Sequence, residues 1–370
     1  MAVIPHFYWA TDRDMTDILA IQSDVAQRVV EVLKIQLLAG TKQQIEKRGT
    51  ENLEAYQSYL KGRYQWNRRT GESLKQAIEF FDQAIAKDPG YALAYAGLAD
   101  CYLTLPEYAG LPPRETLPKA RAAALKALEL DGGLAEARTA LAVVKARLDW
   151  DWAGAEGEFR RAIALNANYA TAHQWLMAAV LRPSRRFVES LEEIKRAQEL
   201  DPLSPVINVD LGECHSLLGN HELGIQVLQR LIATDPSFLV AHRILGRNYL
   251  RAAKFPEAVT ALEGMQRLVG NGAFGLEDLG IAYARAGRTD EARQTLSRLL
   301  DQQQQGNDRR VGIALVQDAL GEREPALNSL DLAFAEHARS LEFIRYMPLT
   351  EDLLPHPRVQ AILKKMNLVK

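Results

Sequence analysis

"FPEAVTALEGMQRL", residues 255–268, decides the fold once its echoes are found along the chain. Ala258 and Met265 stand seven residues apart on it, two turns of a helix. The same frame recurs in "SLKQAIEFFDQAIAKDP" at 73–89, "FVESLEEIKRAQELDP" at 187–202 and "HELGIQVLQRLIATDP" at 221–236. One small residue marks each copy: Ala77, Ala120, Ala155, Ser190, Gly224, Ala258, Ala292 and Ala326, spaced by 43, 35, 35, 34, 34, 34 and 34. A second series, Ala84, Ala127, Ala162, Ala197, Leu231, Met265, Leu299 and Ala333, follows seven residues later with the same spacing. Such a steady period implies an array of like units, each too small to bury its apolar face alone.

The composition suits a folded array. Of 370 residues, 47% are hydrophobic and 25% charged, and the formal net charge is −2. That balance excludes a disordered chain and gives no global electrostatic case for nucleic acid. Cys101 and Cys214 are far apart and each lies in a helical pattern, so a reducing cytoplasm is expected. No apolar run reaches the roughly 18 residues that suggest a membrane span. The opening "MAVIPHFYWATDRD" has no basic region leading into an apolar stretch, and no signal peptide is read there.

A 34-residue period with helix–turn–helix patterning resembles the tetratricopeptide repeat family. The residues that carry the resemblance are His242, Leu245-Gly246, Tyr249, Ala258, Leu262 and Met265 in the sixth unit. Leu279-Gly280, Tyr283 and Ala292 carry it in the seventh, and Leu211-Gly212, Gly224, Leu228 and Pro236 in the fifth. It implies an all-α, right-handed superhelical solenoid of about eight repeats over residues 55–340. A segment with an N-terminal helix (1–54) precedes it, and a capping segment (341–370) follows. Small residues let the two helices of a repeat approach, and Asp-Pro pairs such as Asp88-Pro89, Asp201-Pro202 and Asp235-Pro236 end the second helix.

Two repeats depart from the pattern. The first is about three residues longer than the consensus around "GRYQWNRRTGES". The second carries "LPEYAGLPPRETLPK", residues 105–119, whose four prolines read as a rim loop, a tolerated insertion or a binding loop. Upstream, "TDILAIQSDVAQRVVEVLKIQLLAG" reads as one amphipathic helix from about Thr16 to Leu38, expected to pack on the first repeat or on a second copy in a homodimer. This stretch also resembles the linker of bacterial multidomain signalling proteins, in which an effector (winged helix, adenylate cyclase or serine/threonine kinase) precedes an α/β domain and a repeat array. That likeness implies a chain starting where the α/β domain would end, its effector lost or separately encoded. At the other end Pro357 opens a last helix, with Ile362, Leu363 and Met366 on its apolar side.

Catalytic patterns are absent from the sequence. "GNGAFG" at 270–275 follows a helix rather than a strand, a poor phosphate loop. The seven histidines are scattered, and neither H-E-x-x-H nor G-x-S-x-G occurs. No enzyme activity, cofactor or metal is expected. Trp150 and Trp152 read as core.

The candidate site is a stripe of arginines. Arg243, Arg247 and Arg251 recur every four residues on the first helix of the sixth repeat. The resemblance places those positions on the inner, concave groove, with Arg147, Arg285 and, close by, Arg182 continuing the track. Asp210, Glu213, Glu277 and Asp278 flank it. Two readings stand. The arginines clamp an acidic peptide or carboxylate terminus, or they pair with Glu213 or Glu277 of neighbouring repeats. The functional expectation is a non-catalytic, cytoplasmic protein-interaction scaffold with a peptide or protein partner, without nucleic acid or membrane. The alternative is the regulatory half of a signalling protein.

Overall fold

The computed structural model describes residues 49–348, except 271 and 273, and residues 353–369. The N-terminal helix and any dimer contact through it therefore lie outside the described residues. Within them the chain is all-helical. The helices are α1 Leu53–Asn67, α2 Gly71–Lys87, α3 Ala92–Tyr108, α4 Pro113–Leu130, α5 Ala135–Leu148, α6 Trp152–Leu165, α7 Ala170–Leu176, α8 Phe187–Leu200, α9 Pro205–Leu217 and α10 His221–Thr234. They continue as α11 Leu239–Arg251, α12 Phe255–Val269, α13 Leu276–Arg285, α14 Thr289–Gln304, α15 Arg310–Ala319, α16 Arg323–Ala335 and α17 Pro357–Lys365. Consecutive helices pair from α1·α2 to α15·α16, giving eight hairpins, and each pair packs on the next.

The small-residue series explains the pairing. Ala77, Ala120, Ala155, Ser190, Ala258, Ala292 and Ala326 are wholly buried. A Cβ on Gly224 would meet the carbonyl oxygen of Gly212 at 2.4 Å, and one on Gly246 would meet Leu262 at 2.5 Å. Large residues fill what remains: Phe81, Phe159, Leu228 and Leu262 are fully buried. The stop after the second helix is broader than Asp-Pro. Asp88, Asp131, Asn166 and Asp235 all sit at the cap, and each side chain accepts a hydrogen bond from the backbone N–H two residues on, at 2.9–3.1 Å. Asp131 and Asn166 do this with no proline behind them, so the Asx turn terminates the helix and proline reinforces it.

The spacing of 35 between Ala155 and Ser190 also has a structural meaning. The extra residue is absorbed by a π-helical turn, Met177–Leu181, that continues α7, with the Arg182 amide donating to the Met177 carbonyl at 2.9 Å.

The proline-rich insertion is not a long loop. α3 runs through Pro106 to Tyr108, and α4 starts at Pro113 and passes through Pro118, so only residues 109–112 connect them. Pro106 lies in the last turn of α3, Pro112 is an N-cap and Pro113 the first helical residue, where a fixed φ suits helix entry. The added residues lengthen both helices, and the finger they form crosses to the far end of the array. The Asp308 amide donates to the Gly110 carbonyl at 3.3 Å, and the Tyr108 ring stacks on Phe274 with centroids 6.3 Å apart.

A second closure joins the third repeat to the C-terminal segment. The Trp152 indole N–H donates to the Met366 carbonyl at 2.6 Å. Trp150, in the left-handed region at φ 51°, stacks on His337 at 4.1 Å and Phe334 at 5.4 Å. In α17, Val359, Ile362 and Leu363 are buried, with Met366 just beyond it, while Lys364 and Lys365 are exposed. The segment packs on α16 and simultaneously reaches the third repeat, more than a cap on the eighth alone.

Candidate functional site: the concave channel

The first helices of the repeats face a common interior. Arg69, Glu107, Tyr108, Arg147, Gln174, Trp175, Arg182, Asp210, Glu213, Arg243 and Arg247 line it, together with Phe343 and Tyr346 from the C-terminal segment. The four-residue spacing of helix α11 does put its arginines on this side, because Leu245 and Leu250 turn into the inter-helix core while Ile244 lines the channel with them. Arg147, Arg182, Arg243, Arg247 and Glu213 share the lining, and Arg251 lies against it. Arg285 does not join them: it is exposed at the end of α13.

The guanidinium groups are already engaged. Arg243 Nε donates to Asp278 Oδ2 at 2.6 Å, and its terminal N–H binds Glu277. Arg247 Nε donates to the other oxygen, Asp278 Oδ1, at 2.7 Å. Asp278, fully buried, thus bridges two arginines of the preceding repeat. Arg251 reaches the opposite way, to Glu213 Oε1 at 3.1 Å, and donates to the Tyr346 carbonyl at 2.9 Å. Arg182 binds Glu213 at 2.5 Å and Asp210 at 3.2 Å, and Gln174 donates to Asp210 at 2.8 Å. Arg147 Nε lies 3.0 Å from Glu342.

An open three-arginine anion clamp is therefore not what the chain builds. Each member of the stripe is held by a carboxylate of an adjacent repeat. The physical reason is burial: Arg247 and Asp278 are 5% and 0% exposed, and an unpaired guanidinium there would cost several kcal/mol (roughly 3–5 when a partner is removed). The electrostatics agree. Burial works against charge on Asp278, but Arg247 and Arg243 outweigh it and hold the carboxyl below its ordinary value. Glu213 is likewise depressed, burial being outweighed by Arg182, Arg251 and Arg247. Asp210 goes the other way, since burial dominates over Arg182.

The space left is small, about 100 Å³, against the roughly 300–1,000 Å³ of ordinary ligand pockets. Much of the volume is taken by the chain itself. Phe343 and Tyr346 enter the lining, the Tyr346 ring lies 5.0 Å from the Arg182 guanidinium, and Arg345 donates to the Pro183 carbonyl at 2.8 Å. The sequence signal for this occupant was faint. "LEFIRYM" at 341–347 carries acid, base and aromatics without a repeat frame. Among the described residues no group of three His, Cys, Asp or Glu side chains is placed to hold a metal. Cys101 and Cys214 are buried free thiols whose pKa values burial pushes up. No described helix is long and apolar enough to cross a membrane.

The tetratricopeptide repeat family profile matches residues 245–326. The paired helices, the buried small-residue series and that match decide the architecture. The fold is a tetratricopeptide-repeat solenoid. Its course is similar to that in the crystal structure of the APC/C hetero-tetramer Cut9-Hcn1, with TM-score 0.57 and 15% identity over 95% of this chain and 63% of that one. In sequence the solenoid is similar to "Putative adenylate cyclase 3" of Rhizobium meliloti, 30% identical over 146 residues, which are 38% of this chain and 24% of the relative. It is also similar to the transcriptional regulator HilA of Salmonella typhimurium, 31% identical over 80 residues, 22% of this chain and 14% of the regulator. The chain thus spans less than a quarter of these curated relatives' length.

Proposed function

We propose that this tetratricopeptide-repeat solenoid is a non-catalytic scaffold that binds a polypeptide partner through its concave channel. One observation carries the reading: the channel already holds a polypeptide segment of the same chain, through an ion pair, a ring on a guanidinium and backbone carbonyls as acceptors. Those are contacts a partner peptide can supply as well. An acidic group on the partner suits Arg147, the lining arginine of the third repeat, where Glu342 of the same chain now lies. The setting is cytoplasmic.

A second reading rests on the similarity to an adenylate cyclase-like protein and to a transcriptional regulator. There the array is the regulatory region of a signalling system, and its partner is the effector or a signal-bearing protein. Both readings face the same experiment. Proteins captured from source cells by the wild-type array are compared with those captured by Trp175→Ala and Arg147→Ala, two changes inside the channel. A specific partner lost on both variants, which stay folded by circular dichroism, supports the channel as the binding surface. A partner retained equally on all three places binding elsewhere.

A further inference from the structure

The segment Leu341–Met347 has two faces. Leu341, Ile344 and Met347, spaced by three, are buried in the main core cluster, and the turn that carries Leu341 packs on both helices of the eighth repeat. Glu342, Phe343 and Tyr346 turn the other way, into the channel. Glu342 is 2% exposed and lies on Arg147 of the third repeat. Tyr346 lies on Arg182 of the fourth and gives its carbonyl to Arg251 of the sixth. Its ring meets Phe343 edge-on at 5.6 Å. One short segment thus touches three repeats distant from its own, which nearest-neighbour stacking of a solenoid does not require.

We propose that this segment is an exchangeable, autoinhibitory occupant of the channel. The partner segment that replaces it presents a carboxylate followed, four residues on, by an aromatic ring, as Glu342 and Tyr346 do. The proposal rests on the polypeptide-binding reading above and adds the ligand's chemistry and its gate. The charge arrangement selects an acid at that place. Asp278 and Glu277 satisfy Arg243 and Arg247, and Glu213 and Asp210 satisfy Arg182, all from within the repeats. Glu342 differs in origin: it reaches Arg147 from the segment that follows the eight hairpins. Withdrawing the segment takes that carboxylate from Arg147 and the carbonyl acceptor from Arg251. A partner that offers a carboxylate and a carbonyl at the same places restores both contacts, and an apolar replacement does not. Tyr346 sets the second requirement, a flat ring over Arg182.

His337 sits in the left-handed region at φ 56° and Ala338 is extended, so the chain turns sharply between α16 and the channel and ties the segment to the eighth repeat. Tethered there, the occupant works at an effective concentration in the millimolar range. It should weaken a competing peptide of micromolar affinity by roughly a hundredfold or more.

The test uses the full chain and a labelled synthetic peptide of residues 337–348. Fluorescence anisotropy should show little binding to the wild type. Binding to E342Q/Y346A, which loosens the cis contacts and leaves Leu341, Ile344 and Met347 in place, should be at least tenfold tighter. Adding Arg147→Glu to that variant should remove the gain, as should replacing the glutamate in the peptide by glutamine. Equal affinity of the wild type and the loosened variant would overturn the proposal. Should the double variant lose its fold, amide hydrogen exchange of the wild type decides: residues 341–347 should open faster than α11 and α12. Exchange at the rate of global unfolding means a permanent plug and overturns it. The scaffold reading fails separately. A channel-dependent partner that binds the wild type as well as the loosened variant leaves that reading intact and removes only the gate.

Discussion

Arg121–Asp149 and Arg247–Asp278 are ion pairs of nearly equal length, 2.6 and 2.7 Å, in opposite surroundings. The first has side chains 36% and 41% exposed; the second, 7% and 0%. Distance alone says they are alike. Burial says they are not, because water screens the first and competes for its partners, while the second stands in a medium where a lost partner leaves an unsolvated charge. The array therefore uses arginine in two ways. Outside, the charges keep the surface soluble. Inside, Arg182, Arg251, Arg243 and Arg247 tie the fourth repeat to the fifth, the fifth to the sixth and the sixth to the seventh, and the apparent basic stripe is a lattice of compensated charges.

The largest expected effect tests the inner side. Asp278→Ala removes the carboxylate shared by Arg243 and Arg247 and should cost about 3–5 kcal/mol in urea unfolding. A loss no larger than that of a surface change would mean that water reaches the site.

The same carboxylates set the acid limit. Asp278 and Glu213 have folded-state pKa values below the ordinary one, so the stability they contribute is present above about pH 4 and is lost as pH falls through their depressed values. Asp210, pushed up by burial, opposes this in part. Melting temperature should fall as pH drops below about 4, and Asp278→Asn should make that fall shallower. An unchanged slope would remove Asp278 from the account.

Packing comes next. Ala258 is fully buried where the two helices of the sixth repeat meet. Ala258→Leu should cost about 1–3 kcal/mol through overpacking, with faster amide exchange confined mainly to the fifth, sixth and seventh repeats. Ring closure is smaller still. Trp152→Phe keeps the ring and loses the indole N–H bond to the Met366 carbonyl, which should cost about 1 kcal/mol. It should loosen α17 without altering α9–α12. At the bottom of the scale, Arg121→Ala should change stability by less than about 1 kcal/mol and only at low salt.

These contrasts also show what was legible in the sequence. The hairpins were, because Ala120 through Ala326 recur every 34 or 35 residues and each must be small for its helices to meet. Part of the charge lattice was legible too. Glu277 stands 34 residues beyond Arg243, one repeat length, and a partner one period away lies beside it in a stacked array. Which carboxylate bridges was not, since Glu277 and Asp278 are neighbours on the helix and only the packing buries the second more deeply. Closure was hidden for a different reason. Trp152 meets Met366 across 214 residues, and Tyr108 meets Phe274 from the end of an unusually long α3. Neither contact follows from a nearest-neighbour rule, and the prolines around Tyr108 pointed away from helix. The occupant at 341–347 was missed because its residues match no repeat position; they match the channel.

One measurement tests the central claim most directly. A double-mutant cycle of Arg247→Ala and Asp278→Ala, followed by urea unfolding in 0.1 M and 1 M sodium chloride, gives their coupling energy. A compensated, buried tie predicts a coupling of about 2 kcal/mol or more that salt barely alters. A coupling below about 0.5 kcal/mol that vanishes in high salt would show Arg247 open to solvent and free to take a ligand, and would contradict the account.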